Sequence, residues 1–285
     1  MRRFVMIAFA LVAAPVIAMA QDQAALNPHA EHASVMTPPQ DWAKAQLEKS
    51  PRHQEWVMVK NGQRTVNSFI VYPEVKNKAT AVVVIHEIFG MTDWVRSVAD
   101  QLAAAGYIAI APDLLSGMGP NGGGSSEFTD RSAVTQAVGK LPPDQVTGDL
   151  NATADYVAKL PACNGKVAVC GFCWGGSQSF RFATNRPKLA AAFVFYGTGP
   201  DKDATAKINC PVYGFYAGND ARVTQTVPKS TDLMKEAGKK YDPVIYDGAG
   251  HGFMRAGEDP GNTVEANKKA HDEAWSRWLG LLKKI

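Results

Sequence analysis

A cysteine lies between two glycines at the point where an apolar run ends. The stretch "VAVCGFCWGG" contains Gly171, Cys173 and Gly175 in the pattern Gly-x-nucleophile-x-Gly, with cysteine at the nucleophile position. Glycines at these positions allow a tight turn from a strand into a helix, and the N-terminus of that helix favours a thiolate. The pattern therefore predicts a catalytic thiol at Cys173, with the Trp174 backbone N–H as an oxyanion donor. A buried cysteine at an ordinary turn is the alternative, and partner residues must decide.

Two later segments supply the partners that this turn requires, in the order nucleophile, acid, histidine. The apolar stretch "CPVYGFYAGND" ends at Asp220, and "VIYDGAGHGFMR" brings His251 into a glycine-lined turn after another apolar run. Asp247 is a rival acid, but it is too close to His251 in sequence to face the ring easily. Asp113 also ends an apolar run, but it precedes the nucleophile, which favours a structural role.

A third segment, "AVVVIHEIFG", predicts the rest of the catalytic machinery. The loop after such a strand normally provides a second oxyanion donor, and the backbone N–H of Ile88 is the candidate. Glu87 beside it is unusual, because a carboxylate at a buried strand end must be paired or protonated. Two interpretations remain open for Glu87, a structural ion pair and a proton partner of the cysteine.

The elements around these residues predict an α/β fold. A hairpin through Asn61-Gly62 is followed by continuous apolar strands that alternate with helical segments, which is typical of a mostly parallel sheet with helices on both faces. We expect one domain over residues 52–285, with the glycine-rich stretch "GMGPNGGGSSE" as a flexible loop. That loop lacks the Gly-Lys-Ser/Thr sequence of a phosphate-binding loop.

The N-terminus predicts export. Residues 1–20 combine Arg2 and Arg3, an apolar run and an Ala-x-Ala end, which together indicate a cleaved signal peptide and a periplasmic or secreted protein. The run is short for a membrane anchor and is interrupted by Pro15, so no lasting membrane association is expected. Residues 21–51 are predicted to be a tail or linker, in which the His29 and His32 pair is more simply a solvated segment than a metal site.

Charge and cysteine content exclude several classes. The formal charge is +3, and loss of the two signal arginines leaves +1, with no basic block of the kind that binds nucleic acid. No sequence pattern calls for a metal or a cofactor. Four cysteines are too few for a disulfide scaffold and allow one disulfide at most beside a free nucleophile. Cys170 and Cys173 do have redox C-x-x-C spacing, but Cys170 belongs to the apolar strand and should face the core.

Six stretches together resemble the dienelactone hydrolase family, the carboxymethylenebutenolidase-like branch of the α/β-hydrolases. They run from about residue 82 to the C-terminal helix: "HEIFG", "GYIAIAPDLL", "GDLNATADYV", "GKVAVCGFCWGG", "AGNDARV" and "GAGHGFMR". The resemblance implies an α/β-hydrolase fold and a Cys173, His251 and Asp220 triad that cleaves a lactone or ester through a thioester. It also implies that Glu87 acts at the active site and that the Ile88 and Trp174 amides bind the oxyanion.

The resemblance also implies how a carboxylate-bearing substrate would be held. Arg255, four residues after the histidine, matches one substrate arginine of the family, and Arg131 corresponds to another through a poorly matched stretch. A guanidinium suits this role because its fork matches a carboxylate. The natural substrate stays open, because the family's best-known members act inside the cell, and the loop beside the pocket has its own sequence. A general carboxylesterase and a non-catalytic periplasmic binding protein are the alternatives.

Overall fold

An eight-stranded sheet forms the centre of the molecule. The computed structural model describes residues 40–285, and its strands lie in the order β1-β2-β4-β3-β5-β6-β7-β8. β1 and β2 form an antiparallel hairpin, β2 pairs antiparallel with β4, and all remaining pairs are parallel. The strand bounds are β1 Gln54–Asn61, β2 Arg64–Val71, β3 Ala79–Ile85, β4 Ile108–Pro112, β5 Cys163–Phe172, β6 Ala192–Phe195, β7 Val212–Ala217 and β8 Tyr241–Tyr246.

Helices cover the sheet on both faces, as the sequence predicts. The helix bounds are α1 Asp41–Glu48, α2 Asp93–Ala104, α3 Arg131–Gly139, α4 Pro143–Ala158, α5 Trp174–Asn185, α6 Lys202–Thr205, α7 Ala221–Thr224, α8 Val227–Glu236, α9 Phe253–Glu258 and α10 Glu265–Leu282. One hydrophobic core lies under α3, α4, α5 and α8, and the other lies under α1, α2, α9 and α10. The expected α/β-hydrolase architecture is thus confirmed.

The central strands are apolar throughout because they are buried on both faces. In β3, Val83 and Ile85 point into one core while Val82 and Val84 point into the other, and all four are fully buried. This two-sided burial is the physical reason that the strands form continuous apolar runs instead of alternating with polar residues. Parallel strands also end at a common edge, so the loops that follow them meet there.

The segment before the predicted domain differs from expectation. The part of the predicted linker that the structure describes is not an extended tail, because α1 packs against α2 through the buried side chains of Ala43 and Leu47. Their i, i+4 spacing places both on one face of a single short helix, a signal too brief to recognise in a polar segment. The predicted signal peptide, His29 and His32 lie outside the described residues.

The glycine-rich loop between β4 and α3 is tied down near its end. A short 3-10 helix, Ser125–Glu127, interrupts it, and the Ser125 N–H and hydroxyl both donate to the buried Asp113 carboxylate, at 2.7 and 2.6 Å. The Met91 N–H donates to the same hydroxyl at 3.0 Å. Ser125 therefore joins the loops that follow β3 and β4, and the predicted structural role of Asp113 agrees with this arrangement. None of the helices in residues 40–285 is long and apolar enough to cross a membrane.

Candidate active site

Cys173 occupies a strained turn between β5 and α5. Its φ of 56° and ψ of −117° lie in a region that non-glycine residues rarely adopt, and its N–H donates to the Phe195 carbonyl at 3.0 Å. The flanking glycines are required by close backbone approach: a Cβ on Gly171 would lie 2.0 Å from the Gly175 carbonyl oxygen. The chain thus holds a half-buried thiol at the N-terminus of α5, where the helix favours negative charge.

His251 and Asp220 form a close pair at the same edge of the sheet. Asp220 follows β7 and is nearly buried, His251 follows β8, and His251 Nδ1 lies 2.5 Å from Asp220 Oδ2. A carboxylate only accepts hydrogen bonds, so Nδ1 carries the proton and Nε2 is left for the Cys173 thiol. Burial lowers the pKa of His251, but hydrogen bonds with Cys173 and Asp220 outweigh burial and raise that pKa to about 8.

The other two acidic candidates are placed elsewhere. Asp247 is exposed in the turn after β8, whereas Asp113 is buried and its carboxylate accepts two hydrogen bonds from Ser125. Of the three acids considered from the sequence, Asp220 is the one that contacts His251. The imidazole has a fixed orientation as a result, which is what a general base needs before it can accept a proton from a nucleophile.

Glu87 forms an ion pair at the buried end of the site. Its side chain is almost wholly buried, and its Oε2 accepts a hydrogen bond from Arg255 Nε at 2.8 Å. Arg255 comes from α9, only four residues after His251. The pairing that a buried carboxylate requires is therefore supplied by one of the two arginines of the family resemblance.

Phe89 brings the two arginines together. The guanidinium carbon of Arg131 lies 4.0 Å from the centre of the Phe89 ring, and that of Arg255 lies 5.6 Å from the same centre. Arg131 is the first residue of α3, and the Asp130 side chain caps this helix by accepting a hydrogen bond from the Ala133 N–H. Sequence reasoning did not single out Phe89, although its place directly after Glu87 and Ile88 in "HEIFG" was a usable signal.

Tyr196 is a second residue that sequence reasoning missed. It follows β6 with a positive φ of 39°, and its ring packs edge-on against His251, with centroids 5.0 Å apart. Burial, and to a smaller extent Glu87, raises the pKa of its hydroxyl far above the ordinary value. Tyr196 therefore packs as a neutral side chain against the His251 imidazole, and only its position at a strand end could have indicated this.

The two expected oxyanion amides follow neighbouring strands of the sheet. Ile88 follows β3, Trp174 begins α5, and β3 and β5 are neighbouring parallel strands. Among residues 40–285, no acceptor is found for the backbone N–H of Ile88 or of Trp174. Two unengaged amide donors beside a nucleophile are what stabilisation of an oxyanion requires.

The remaining cysteines are buried. Cys170 lies in the core beneath the sheet, burial raises the pKa of its thiol well above the ordinary value, and all four cysteines are free thiols. Cys170 therefore faces the core, as expected for a strand residue, and the C-x-x-C spacing does not form a disulfide here. Within residues 40–285, no group of three His, Cys, Asp or Glu side chains is arranged to hold a metal ion.

Comparison with known proteins identifies the family. The model of the dienelactone hydrolase family matches residues 66–285. The chain is 33% identical over 211 residues to the "Putative carboxymethylenebutenolidase" of Salmonella typhi, covering 70% of this chain and 74% of that protein. It is 30% identical over 254 residues to the protein of the same name from Saccharolobus solfataricus, and the match covers 77% of this chain and 94% of that protein.

A solved structure agrees with these sequence relatives. The crystal structure described as a "Putative Dienelactone Hydrolase" from Klebsiella pneumoniae superposes with a TM-score of 0.70 at 26% identity, over 82% of this chain and 99% of that one. Sequence family, named relatives and architecture all point the same way. The chain belongs to the dienelactone hydrolase family, and it is a hydrolase that acts on ester or lactone bonds.

Proposed function

We propose that this chain hydrolyses its ester or lactone through the thiolate of Cys173, with His251 as general base and acid and Asp220 as the group that orients it. The observation that carries the proposal is the 2.5 Å His251–Asp220 hydrogen bond at the sheet edge that also presents Cys173 in a strained turn. A thiol, an imidazole and a carboxylate in this order are the components of nucleophilic acyl transfer.

In the first half of the reaction, His251 Nε2 takes the proton from Cys173, and the sulfur attacks the substrate carbonyl carbon. The C=O π electrons move onto the oxygen, and the Ile88 and Trp174 N–H groups stabilise the oxyanion, each contributing about 3 kcal/mol. Collapse of this intermediate breaks the bond to the alkoxy oxygen, which takes the proton held by His251. A thioester on Cys173 remains, and a lactone opens into one chain.

In the second half, His251 takes a proton from water, and the hydroxide attacks the thioester carbonyl. The same two amides hold the second oxyanion, the C–S bond breaks, and Cys173 leaves as a thiolate that recovers its proton from His251. One water is consumed, and one carboxylic acid and one alcohol are formed. Asp220 stabilises the imidazolium at both stages without itself taking the proton.

We also propose that the resting Cys173 thiol keeps its proton by donating it in a hydrogen bond to Glu87, and that His251 removes this proton to form the thiolate only with substrate bound. Glu87 Oε2 is engaged by Arg255, which leaves Oε1 as the acceptor atom. A thiol kept protonated in this way oxidises more slowly, because the thiolate is the species that reacts with oxidants. That property would suit an enzyme outside the cytoplasm.

The preferred substrate in this proposal carries a carboxylate. Support comes from Arg131 and Arg255, whose guanidinium groups both lie over the Phe89 ring. Arg255 is also ion-paired with Glu87. Guanidinium groups bind carboxylates through paired hydrogen bonds. A simple carboxylesterase would not need two arginines beside its substrate. A panel of dienelactones and short neutral esters therefore distinguishes the two substrate classes.

Export completes the proposal, and it rests on the sequence of residues 1–20 alone. Expression of the full chain in a bacterial host, followed by fractionation and mass measurement, tests it. A periplasmic product that begins after Ala20 is the expected result, and an uncleaved protein that stays in the cytoplasm would contradict it.

Intact-protein mass spectrometry after rapid mixing with the substrate panel tests the nucleophile. We expect an acyl adduct on Cys173, loss of turnover in Cys173→Ala, and retained turnover in the control Cys210→Ala, whose thiol is buried elsewhere. Turnover by folded Cys173→Ala would remove Cys173 from the mechanism. Absence of both adduct and turnover across the panel would favour the binding-protein alternative.

A further inference from the structure

We propose that His86 is a positioning residue for the oxyanion hole, holding both of its amide donors in place. The inference rests on the proposed function, since it concerns how the Ile88 and Trp174 amides are oriented. The two amides come from segments about 90 residues apart in sequence, and His86 contacts both segments.

The first contact fixes the peptide that presents the Ile88 N–H. His86 Nδ1 lies 2.7 Å from the Glu87 carbonyl oxygen, and because a carbonyl only accepts, Nδ1 carries the ring proton. The Glu87 C=O and the Ile88 N–H belong to the same planar trans peptide and point in opposite directions. The Gly90 N–H donates to the same oxygen at 3.2 Å. The peptide cannot rotate without breaking both bonds, and a bonded carbonyl makes its own N–H a stronger donor.

The second contact fixes the segment that presents the Trp174 N–H. The His86 and Trp174 rings stack with centroids 5.5 Å apart and planes within 14° of parallel. The next residue, Gly175, packs directly on the backbone of His86, because a Cβ at that position would lie 2.3 Å from the His86 carbonyl oxygen. The first turn of α5 therefore rests against His86 through both ring and backbone.

Burial of the His86 ring also carries a free-energy cost. His86 is fully buried, and its Nε2 has no hydrogen-bond partner among residues 40–285. Burial lowers the pKa of His86 despite the opposing charge of Asp113, so the ring is neutral. Its single N–H donates to the Glu87 carbonyl, in the peptide that presents the Ile88 N–H. A buried nitrogen without a hydrogen-bond partner destabilises the fold, and an apolar side chain would avoid this cost. Packing alone therefore does not account for a histidine here.

A matched pair of variants tests the role. His86→Met fills similar space without a donor, whereas His86→Gln keeps an N–H that can reach the Glu87 carbonyl. For His86→Met we expect kcat to fall about 10- to 100-fold with KM within about twofold, since oxyanion contacts strengthen in the transition state. His86→Gln should recover most of kcat.

A second readout separates positioning from general disruption. Alkylation of Cys173 by iodoacetamide forms no oxyanion, so its rate should stay within about twofold in His86→Met, whereas affinity for a reversible aldehyde inhibitor should fall with kcat. Unchanged kcat in His86→Met, or equal losses of kcat and alkylation rate, would overturn the proposal. If His86→Met does not fold, His86→Phe, which keeps the stacked ring and lacks the donor, takes its place with the same expectations.

Cys173→Ala measured in parallel keeps the two proposals distinct. Activity in that variant removes the thiol mechanism and with it the basis for His86. Loss of activity in Cys173→Ala together with wild-type kcat in folded His86→Met overturns the role of His86 alone.

Discussion

The proposed site has two sides: a reactive side, formed by Cys173, His251 and Asp220, and a recognition side, formed by the two arginines that lie over Phe89. The reactive side follows directly from strands of the sheet, and its cysteine lies in a turn that leaves no room for a side chain at Gly171 or Gly175. The recognition side comes from short helices and loops, and its contacts are between long side chains.

This difference separates chemistry from selectivity. Backbone packed on backbone cannot adjust to a new side chain, so a change on the reactive side should lower the rate for every substrate. Side chains at the ends of loops can be exchanged without disturbing the sheet, so a change on the recognition side should alter only which substrates bind. Variants on each side, compared by kcat and KM, test that separation.

Asp220→Asn should have the largest effect. We expect kcat to fall about 100- to 10 000-fold for all substrates, because the amide can favour the wrong imidazole tautomer while leaving geometry intact. Steady-state kinetics with one carboxylate-bearing and one neutral ester measure it. A loss confined to one substrate class would break the proposed division between the two sides.

The pH dependence sharpens the same prediction. In the free enzyme His251 must be a neutral imidazole to take the proton from Cys173, and its pKa is raised to about 8, so kcat/KM should rise as pH rises through about 8. Asp220 is one of the groups that raise that pKa, so in Asp220→Asn this rising limb of kcat/KM should move to lower pH. A limb that stays in place would contradict the coupling.

Gly175→Ala should have the next largest effect. The added methyl would lie 2.3 Å from the His86 carbonyl oxygen and 2.5 Å from that of Ile85, so the first turn of α5 must shift. We expect about 1–3 kcal/mol of destabilisation and a loss of about tenfold or more in kcat. Denaturant unfolding and kinetics measure both.

Gly280→Ala is the matched control. Gly280 also lies in a helix, but its added methyl meets no atom within 4 Å, so the substitution should stabilise by up to about 1 kcal/mol and leave kcat unchanged. If Gly175→Ala behaves like Gly280→Ala, the close packing of α5 on β3 does not matter for catalysis.

Arg255→Lys should affect recognition instead. A lysine keeps the positive charge beside Glu87 but loses the fork that binds a carboxylate, so KM for carboxylate-bearing substrates should rise about tenfold. KM for neutral esters should change by less than about twofold. An equal rise for both substrate classes would place Arg255 outside substrate recognition.

Arg131→Gln should give the smallest effect, a rise of about threefold in KM for the same substrates, because Arg131 is exposed and water competes for the contact. Lys140→Gln, in an exposed residue just past the end of the same helix, is the control that should leave KM unchanged. Indistinguishable results for the two variants would remove Arg131 from the recognition side.

Most of the sheet could be predicted from the sequence because strands buried on both faces form continuous apolar runs. The nucleophile turn could also be predicted, since close backbone packing at the turn requires glycines such as Gly171 and Gly175. The spacing and order of strand ends then indicated Asp220 and His251. These signals are short in sequence or repeated along the chain.

The remaining parts depend on contacts between distant segments. That Arg131 and Arg255 share Phe89 follows from how α3 and α9 dock, which no local pattern encodes. The same holds for Tyr196 against His251, and for α1, whose two buried residues are too few to create a visible period. The predicted signal peptide lies outside the described residues and stays a prediction.

The Ser125 junction makes the glycine-rich loop an exchangeable cassette. Its two ends are fixed by the buried Asp113 and by Ser125 itself, while residues 117–123 between them are mostly exposed and make no hydrogen bond to β5 or to the thiol turn. Lengthening such a segment costs little, since closure entropy grows only slowly with loop length. Sequence changes confined to residues 117–123 should therefore leave the Cys173 turn and the His251–Asp220 pair unchanged.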